Sequence, residues 1–153
     1  MLLRRATLMI PLVFALLPGA CSSQSASGSD AGSDVTTGAT VVGTLTLPGT
    51  ASGKHYEVRI VTAPGSAALT PVATASGTTT GSMSLTYSIP NVPAGTYFIL
   101  GFVDVNGLGG TSSTPGDYAG WYGEDSSGNP PAQADATVTA SGTVTFDFNL
   151  VLR

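Results

Sequence analysis

From Ala39 onward, apolar and polar residues alternate with a period of two, the spacing of a strand buried on one side. In TVVGTLTL, residues 40 to 47, Val41, Gly43, Leu45 and Leu47 share a face. In YEVRIVT, residues 56 to 62, Tyr56, Val58 and Ile60 oppose Glu57 and Arg59. SMSLTYSIP, residues 82 to 90, sets Met83, Leu85, Tyr87 and Ile89 against serine and threonine. TVTFDFNLVL, residues 143 to 152, repeats the pattern with Val144, Phe146, Phe148, Leu150 and Leu152. TYFILGFV, residues 96 to 103, is apolar on both faces, as a central strand would be. Shorter candidates lie at 71 to 75, 118 to 122 and 134 to 140. Gly-Ser, Pro-Gly, Asn-Val-Pro and Ser-Gly separate these runs at sandwich-like intervals. The pattern predicts an all-β, antiparallel β-sandwich of about seven or eight strands over residues 39 to 153.

Composition agrees with that reading. The chain has 153 residues, 42% hydrophobic and 9% charged, with 20 glycines and 10 prolines, which suits one domain and an appendage. Helical spacing of Leu, Ala, Glu and Lys is confined to the first twenty residues.

Those residues read as a processing signal. Arg4 and Arg5 form a positive start, Ala6 to Leu17 an apolar run short for a bilayer, and Pro18-Gly19-Ala20 leads to the chain's one cysteine, Cys21. Leu17-Pro18-Gly19-Ala20-Cys21 resembles the lipobox of bacterial lipoproteins, whose cysteine is lipidated and becomes the mature N-terminus. It departs from that pattern in placing Pro18 where an aliphatic residue is usual. The same residues also read as an ordinary signal peptide that leaves Cys21 unused. Each buried methylene contributes about 0.8 kcal/mol, so the two or three chains of a lipoprotein cysteine would hold it stably at a membrane. Ser22 in place of an aspartate leans toward the outer membrane or cell surface over the inner membrane, by the same resemblance.

SSQSASGSDAGSDVTTG, residues 22 to 38, has Val35 as its one sizeable apolar side chain and is predicted to be a disordered linker. With Cys21 it tethers the domain, with a reach of roughly 20–25 Å. Loss of Arg4 and Arg5 leaves Lys54, Arg59 and Arg153 against nine acidic residues, a net charge of −6. That acidity argues against nucleic acid and against a polybasic hold on anionic lipid. The expected partners are a membrane, through the anchor, and a carbohydrate or envelope protein.

IPNVPAGTYFILGFVD, residues 89 to 104, carries a second resemblance. Val92, Pro93, Gly95, Thr96 and Tyr97 form a turn entering an apolar strand that looks like the carboxypeptidase-regulatory-like and collagen-adhesin B-type domains, sandwiches of the prealbumin-like group. The resemblance implies the fold and says little of function. Pro93 would preset the turn and Gly95 supply permissive dihedrals. Some adhesin domains join a lysine on the first strand to an asparagine on the last. Here Asn149 is suitably placed, but Lys54 falls in the turn-like SGKH before the second strand.

Two stretches carry candidate chemistry. In DVNGLGGTSSTPGD, residues 104 to 117, Asp104, Asn106 and Gly109 fall at the first, third and sixth positions of an EF-hand-like loop. Leu108 and Pro115 occupy two positions that should supply oxygen. A looser calcium loop would use Asp104, Asn106 and Asp117, and weak calcium is the one cofactor the sequence offers. The competing reading is an Asn106-Gly107 turn with a long connection. Next, Tyr118, Trp121, Tyr122 and Glu124 combine flat apolar rings with a carboxylate, as sugar-binding surfaces do. Alternatively, Tyr118 and Tyr122 pack into the sandwich and Trp121 covers its end.

Catalytic chemistry is sparse. No Gly-x-Ser-x-Gly elbow occurs, and the one histidine, His55, sits in a turn-like stretch without a triad neighbour. Asp117 and Glu124 could be paired as glycosidase acids, though exposed acids are usually only solvated. The expectation is a non-enzymatic binding or structural module.

Overall fold

The inward rows read from the alternation meet across two facing sheets. The computed structural model describes residues 38–65, 70–110 and 112–153. The signal-like segment, Cys21 and the linker up to residue 37 lie outside the described residues. Asp34–Arg153 forms one compact unit. Its strands are β1 (Ala39–Thr46), β2 (Ser52–Val61), β3 (Ala73–Thr80), β4 (Ser84–Val92), β5 (Gly95–Val103), β6 (Tyr118–Trp121), β7 (Ala136–Val138), β8 (Thr143–Thr145), β9 (Phe148–Asn149) and β10 (Val151–Leu152). The smaller sheet runs β4-β1-β8, with β9 also on β1. The larger runs β10-β6-β5-β2-β3, with β7 on β5. The domain is thus an all-β sandwich, not a closed barrel.

Pairing is antiparallel except where the end of the domain meets its start. There β8 and β9 lie parallel to β1, matching Val41 with Val144 and Leu45 with Phe148. The run 143 to 152, which reads as one strand, is three. Between β8 and β9 the Asp147 carboxylate accepts the Thr44 N–H at 2.7 Å, taking the place of a ladder carbonyl. Past Leu150 the chain crosses to the other sheet, where β10 pairs with β6. The carbonyl of Phe146 accepts the Tyr87 hydroxyl at 2.7 Å. A Cβ on Gly43 would overlap that carbonyl and lie 2.7 Å from the Tyr87 oxygen, so only glycine fits beneath them. Burial chiefly, then Asp147 and Tyr122, pushes the Tyr87 hydroxyl's pKa up.

Val41, Leu45, Val58, Ile60, Tyr87, Ile89, Ile99, Val103, Phe148 and Leu150 fill the core. Each such aliphatic side chain contributes about 1.5–3 kcal/mol by leaving water, so these rows outweigh any surface pair. Two residues assigned inward are not. Met83 is 48% exposed, because it precedes β4 in a turn whose carbonyl accepts the Leu47 N–H. Leu152 is 65% exposed, because it lies beyond the crossover on the two-residue β10.

SGKH, 52 to 55, is the start of β2 and not a turn before it. A bulge interrupts its register with β3 between Ser52 and His55, and Gly53 there has φ 66°. Likewise β3 extends to Thr80, past the predicted 71 to 75. Its Gly77 lies under the Tyr56 ring, 2.8 Å from where a Cβ would stand. An aromatic ring over a strand glycine restores the packing that glycine lacks.

At the turn into β5 the left-handed residue is Asn91, φ 58°, and not Gly95. Gly95 is required for another reason. The Tyr97 ring folds back over it, 2.8 Å from a Cβ to the hydroxyl oxygen, and the hydroxyl donates to the Pro93 carbonyl at 3.1 Å. Sandwich domains use such tyrosine corners to lock the passage between sheets.

As its sequence implies, β5 is central and buried on both sides. Ile99 and Val103 face the core, while Phe98 and Phe102 are buried on the other face. There Arg59 binds Glu57 through two nitrogens, at 2.7 and 2.9 Å, and lies 5.5 Å from the Phe102 ring centre. The paired guanidinium tolerates burial because its charge is met by a carboxylate in a two-pronged contact.

Candidate functional site

The loop from Asp104 to Asp117 leaves β5 and returns on β6, and its acidic residues are turned inward on its own backbone. Asp117 is 2% exposed. Its Oδ1 accepts the N–H groups of Val105 at 2.9 Å and Asn106 at 3.3 Å. Its Oδ2 accepts the Thr114 N–H at 2.7 Å and the Thr114 hydroxyl at 2.8 Å. Burial alone would raise its pKa, yet the bonds from Thr114, Asn106 and Val105 together hold it below the usual carboxylate value.

The other two predicted ligands behave alike. Asp104 accepts the N–H of Gly107 at 2.8 Å and of Gly109 at 3.0 Å, one on each oxygen. Asn106 accepts the Leu108 N–H at 2.9 Å and donates to the Thr114 hydroxyl and the Pro115 carbonyl. Gly107, at φ 73°, adopts the left-handed turn that lets Asp104 close on it.

Asp104, Asn106 and Asp117 therefore meet in one loop, as their spacing predicts, but their oxygens point at amide protons. A hard cation takes six to eight oxygens free to face it. Each Asp117 oxygen already accepts two hydrogen bonds, whereas Asp104 accepts one on each oxygen and Asn106 one on Oδ1, so three side-chain oxygens keep a lone pair for a cation, half of the six it needs at least. Among the described residues no group of three acidic, histidine or cysteine side chains is placed to hold a metal.

The aromatic cluster divides between two faces. Tyr118 pairs with Val103 and Gly120 with Gly101, so Tyr118 and, beyond the strand, Tyr122 turn to the core. Tyr122 meets the Phe146 ring edge-on at 5.0 Å, and Tyr118 reaches the glycine-bearing turn after β1 at Gly49. Trp121 lies on the opposite face, half-buried, with Phe98 at 6.5 Å and 84°. The four residues Tyr118, Trp121, Tyr122 and Glu124 do not form one platform.

Glu124 is engaged as well. Its Oε2 accepts the Trp121 N–H at 3.1 Å and pairs with Arg153 at 2.7 Å. Arg153 is further tied by its own backbone to Asp117 and Gly116. The neighbouring Asp125 closes a turn on Asn129, whose side-chain and backbone hydrogen bonds lower the acid's pKa. What remains open here is a cleft of about 360 Å³ bordered by Trp121, Glu124, Asp125, Asn149 and Val151.

A larger, shallow groove of about 700 Å³ passes over Val42, Thr44, Thr86, Ser88 and Thr145 and reaches Tyr56 and Ser76 at the flank. Nothing in the alternation announced it, because outward threonines and serines look the same on any exposed sheet. His55 is exposed on β2 with the Phe102 ring 6.4 Å away. Lys54 and Asn149 stand on different sheets, Lys54 on β2 and Asn149 on β9 beside Thr46. Comparison with protein-family models, curated proteins and solved structures produced no match.

Proposed function

We propose that this chain is an exported lipoprotein, anchored through Cys21 at the outer membrane or cell surface, whose β-sandwich is a non-catalytic binding or structural module of the cell envelope. The observation that carries the reading is the order of segments. A charged start, an apolar run and Leu17-Pro18-Gly19-Ala20-Cys21 precede a Ser/Gly stretch, and the sandwich begins at Ala39. The acids near the loop support the absence of catalysis. Asp117 and Asp104 have both oxygens bonded to backbone or hydroxyl donors, and Glu124 holds Arg153. A carboxylate spent on structural donors is a poor proton carrier. The resemblance at Val92 to Tyr97 to prealbumin-like adhesin modules points the same way.

Detergent partitioning of the full chain, expressed with its N-terminus intact in a bacterial host, tests the anchor. The native protein should enter the detergent phase with the added mass of its acyl chains, and Cys21→Ala should remain aqueous. Identical partitioning of the two would overturn the reading.

A second reading has one observation in its favour: the cleft beside Trp121, with Glu124 and Asp125 at its rim, has the ring-and-carboxylate make-up of a sugar site. Quenching of Trp121 fluorescence by soluble glycans would support it, and no response across a varied panel would remove it.

A further inference from the structure

The chain has four asparagines, Asn91, Asn106, Asn129 and Asn149. Asparagine is thermolabile because the backbone nitrogen of the next residue can attack its side-chain carbonyl. Proline follows Asn129 and has no N–H to give up, so its nitrogen cannot attack. Val92 follows Asn91 and Leu150 follows Asn149, and both are buried core side chains that crowd the approach. Only Asn106 is followed by glycine, which puts no side chain in the way. Asn106 and Gly107 are both exposed to water in the loop after β5.

Every group that this attack must release is held by the loop. The Gly107 N–H donates to Asp104 Oδ1 at 2.8 Å. Asn106 Nδ2 donates to the Thr114 hydroxyl oxygen at 2.7 Å and to the Pro115 carbonyl at 3.0 Å, while Asn106 Oδ1 accepts the Leu108 N–H at 2.9 Å. Asp117 fixes the frame on which the side chain rests, through the Asn106 N–H and both donors of Thr114.

We infer that Asn106 is a modification site of this chain: it deamidates without an enzyme, and the hydrogen bonds of the 104 to 117 loop set the rate. The Gly107 nitrogen gives its proton to a base in solution and attacks Asn106 Cγ. A C–N bond forms, the Cγ–Nδ2 bond breaks, and Nδ2 leaves as ammonia with a proton taken from water. Water then opens the cyclic imide at either carbonyl, leaving aspartate or isoaspartate. The bonds from Gly107 to Asp104 and from Nδ2 to Thr114 and Pro115 are lost on the way, so the reaction proceeds through the opened loop and not the closed one. The product cannot restore them. Where Nδ2 donated, a carboxylate oxygen faces the Pro115 carbonyl and a Thr114 hydroxyl whose hydrogen is already given to Asp117. Conversion therefore leaves the loop permanently loosened.

The full chain, kept for days at mildly alkaline pH with and without guanidinium chloride, tests this. Proteolysis and mass spectrometry then count residue 106 as amide, aspartate or isoaspartate. The folded protein should convert more slowly than the unfolded one by roughly tenfold or more, the factor expected when two such bonds have to be given up. Thr114→Val removes one acceptor of Nδ2, and Asp104→Ala removes the acceptor of the Gly107 N–H. Each should speed conversion in buffer and leave the rate in guanidinium unchanged. Asn106→Asp, the product itself, should melt below the native protein, a readout that needs no incubation. Equal rates in the folded and unfolded chain would overturn the inference, as would an Asp104→Ala chain slower than the native one, since Asp104 would then be the base that draws the Gly107 proton. Absence of conversion at Asn106 in guanidinium, or an Asn106→Asp protein that melts with the native one, would also count against it.

Discussion

Replacing Asp117 by alanine should cost more stability than any other single change in the 104 to 117 loop. The carboxylate receives three backbone N–H groups and one hydroxyl, at 2.7 to 3.3 Å, while 2% exposed. Hydrogen bonds to a charged group contribute roughly 1.5–3 kcal/mol each when measured singly, but they are not additive, and water can reach part of the vacated loop. About 3 kcal/mol is a reasonable total, and for a domain of this size that lowers Tm by roughly 10–15 °C. Asp117→Asn should be little better. One of its faces would present NH2 to groups that are already donors, at Thr114 or at Val105 and Asn106. The assay is urea and thermal unfolding of residues 34–153 from neutral pH into acid. Because the folded pKa is depressed, the stabilisation is present above the unfolded value of about 3.9 and is lost as pH falls through the folded value. Native and variant curves should therefore converge in acid. An Asp117→Asn protein that melts with the native one at pH 7, or a gap that persists undiminished at the lowest pH, would refute the reasoning.

Other outcomes follow from the same geometry. The melt of residues 34–153 should not differ between EDTA and millimolar calcium, because the loop's acids are already bonded; a rise that saturates with calcium would show a cation site instead. Gly43→Ala should be severely destabilising, about 3 kcal/mol or more by urea unfolding, since the methyl meets the Phe146 carbonyl and the Tyr87 hydroxyl. Tyr97→Phe should cost about 1 kcal/mol in the same assay through loss of the bond to Pro93, with the ring still packed. Arg153→Ala removes a pair that is partly exposed and should shift stability by no more than about 1 kcal/mol.

The inward rows are legible because burial selects every second residue, and Val41, Leu45, Val58, Ile60, Tyr87 and Ile89 all lie where alternation puts them. What alternation conceals is where a ladder breaks. Gly53 makes the start of β2 resemble a turn, whereas the chain bulges and continues. Asp147 reads as any outward residue of a final strand, and its capture of the Thr44 N–H across 103 residues cannot be seen in local spacing. Gly95 reads as a turn residue, when its task is to leave room for Tyr97. Spacing does place Asp104, Asn106 and Asp117 in one loop. It does not disclose the loop's chemistry, since Asp-x-Asn serves cation loops and amide-accepting turns equally. Tyr118 and Tyr122 sit one face away from Trp121 by the same period of two that reveals the strands.

The parallel union of β1 with β8 and β9 also sets the order in which the domain can assemble. One side of β1 can be completed by β4, about forty residues later, but the other waits for residues 143 to 149. Contacts so distant along the chain make folding slow, and a nascent chain lacking them leaves Leu45 and Gly43 without Phe146 and Phe148 to close over them. A domain built this way cannot close until residues 143 to 149 are present, so a chain cut or held short of them keeps one side of β1 open to any other extended strand.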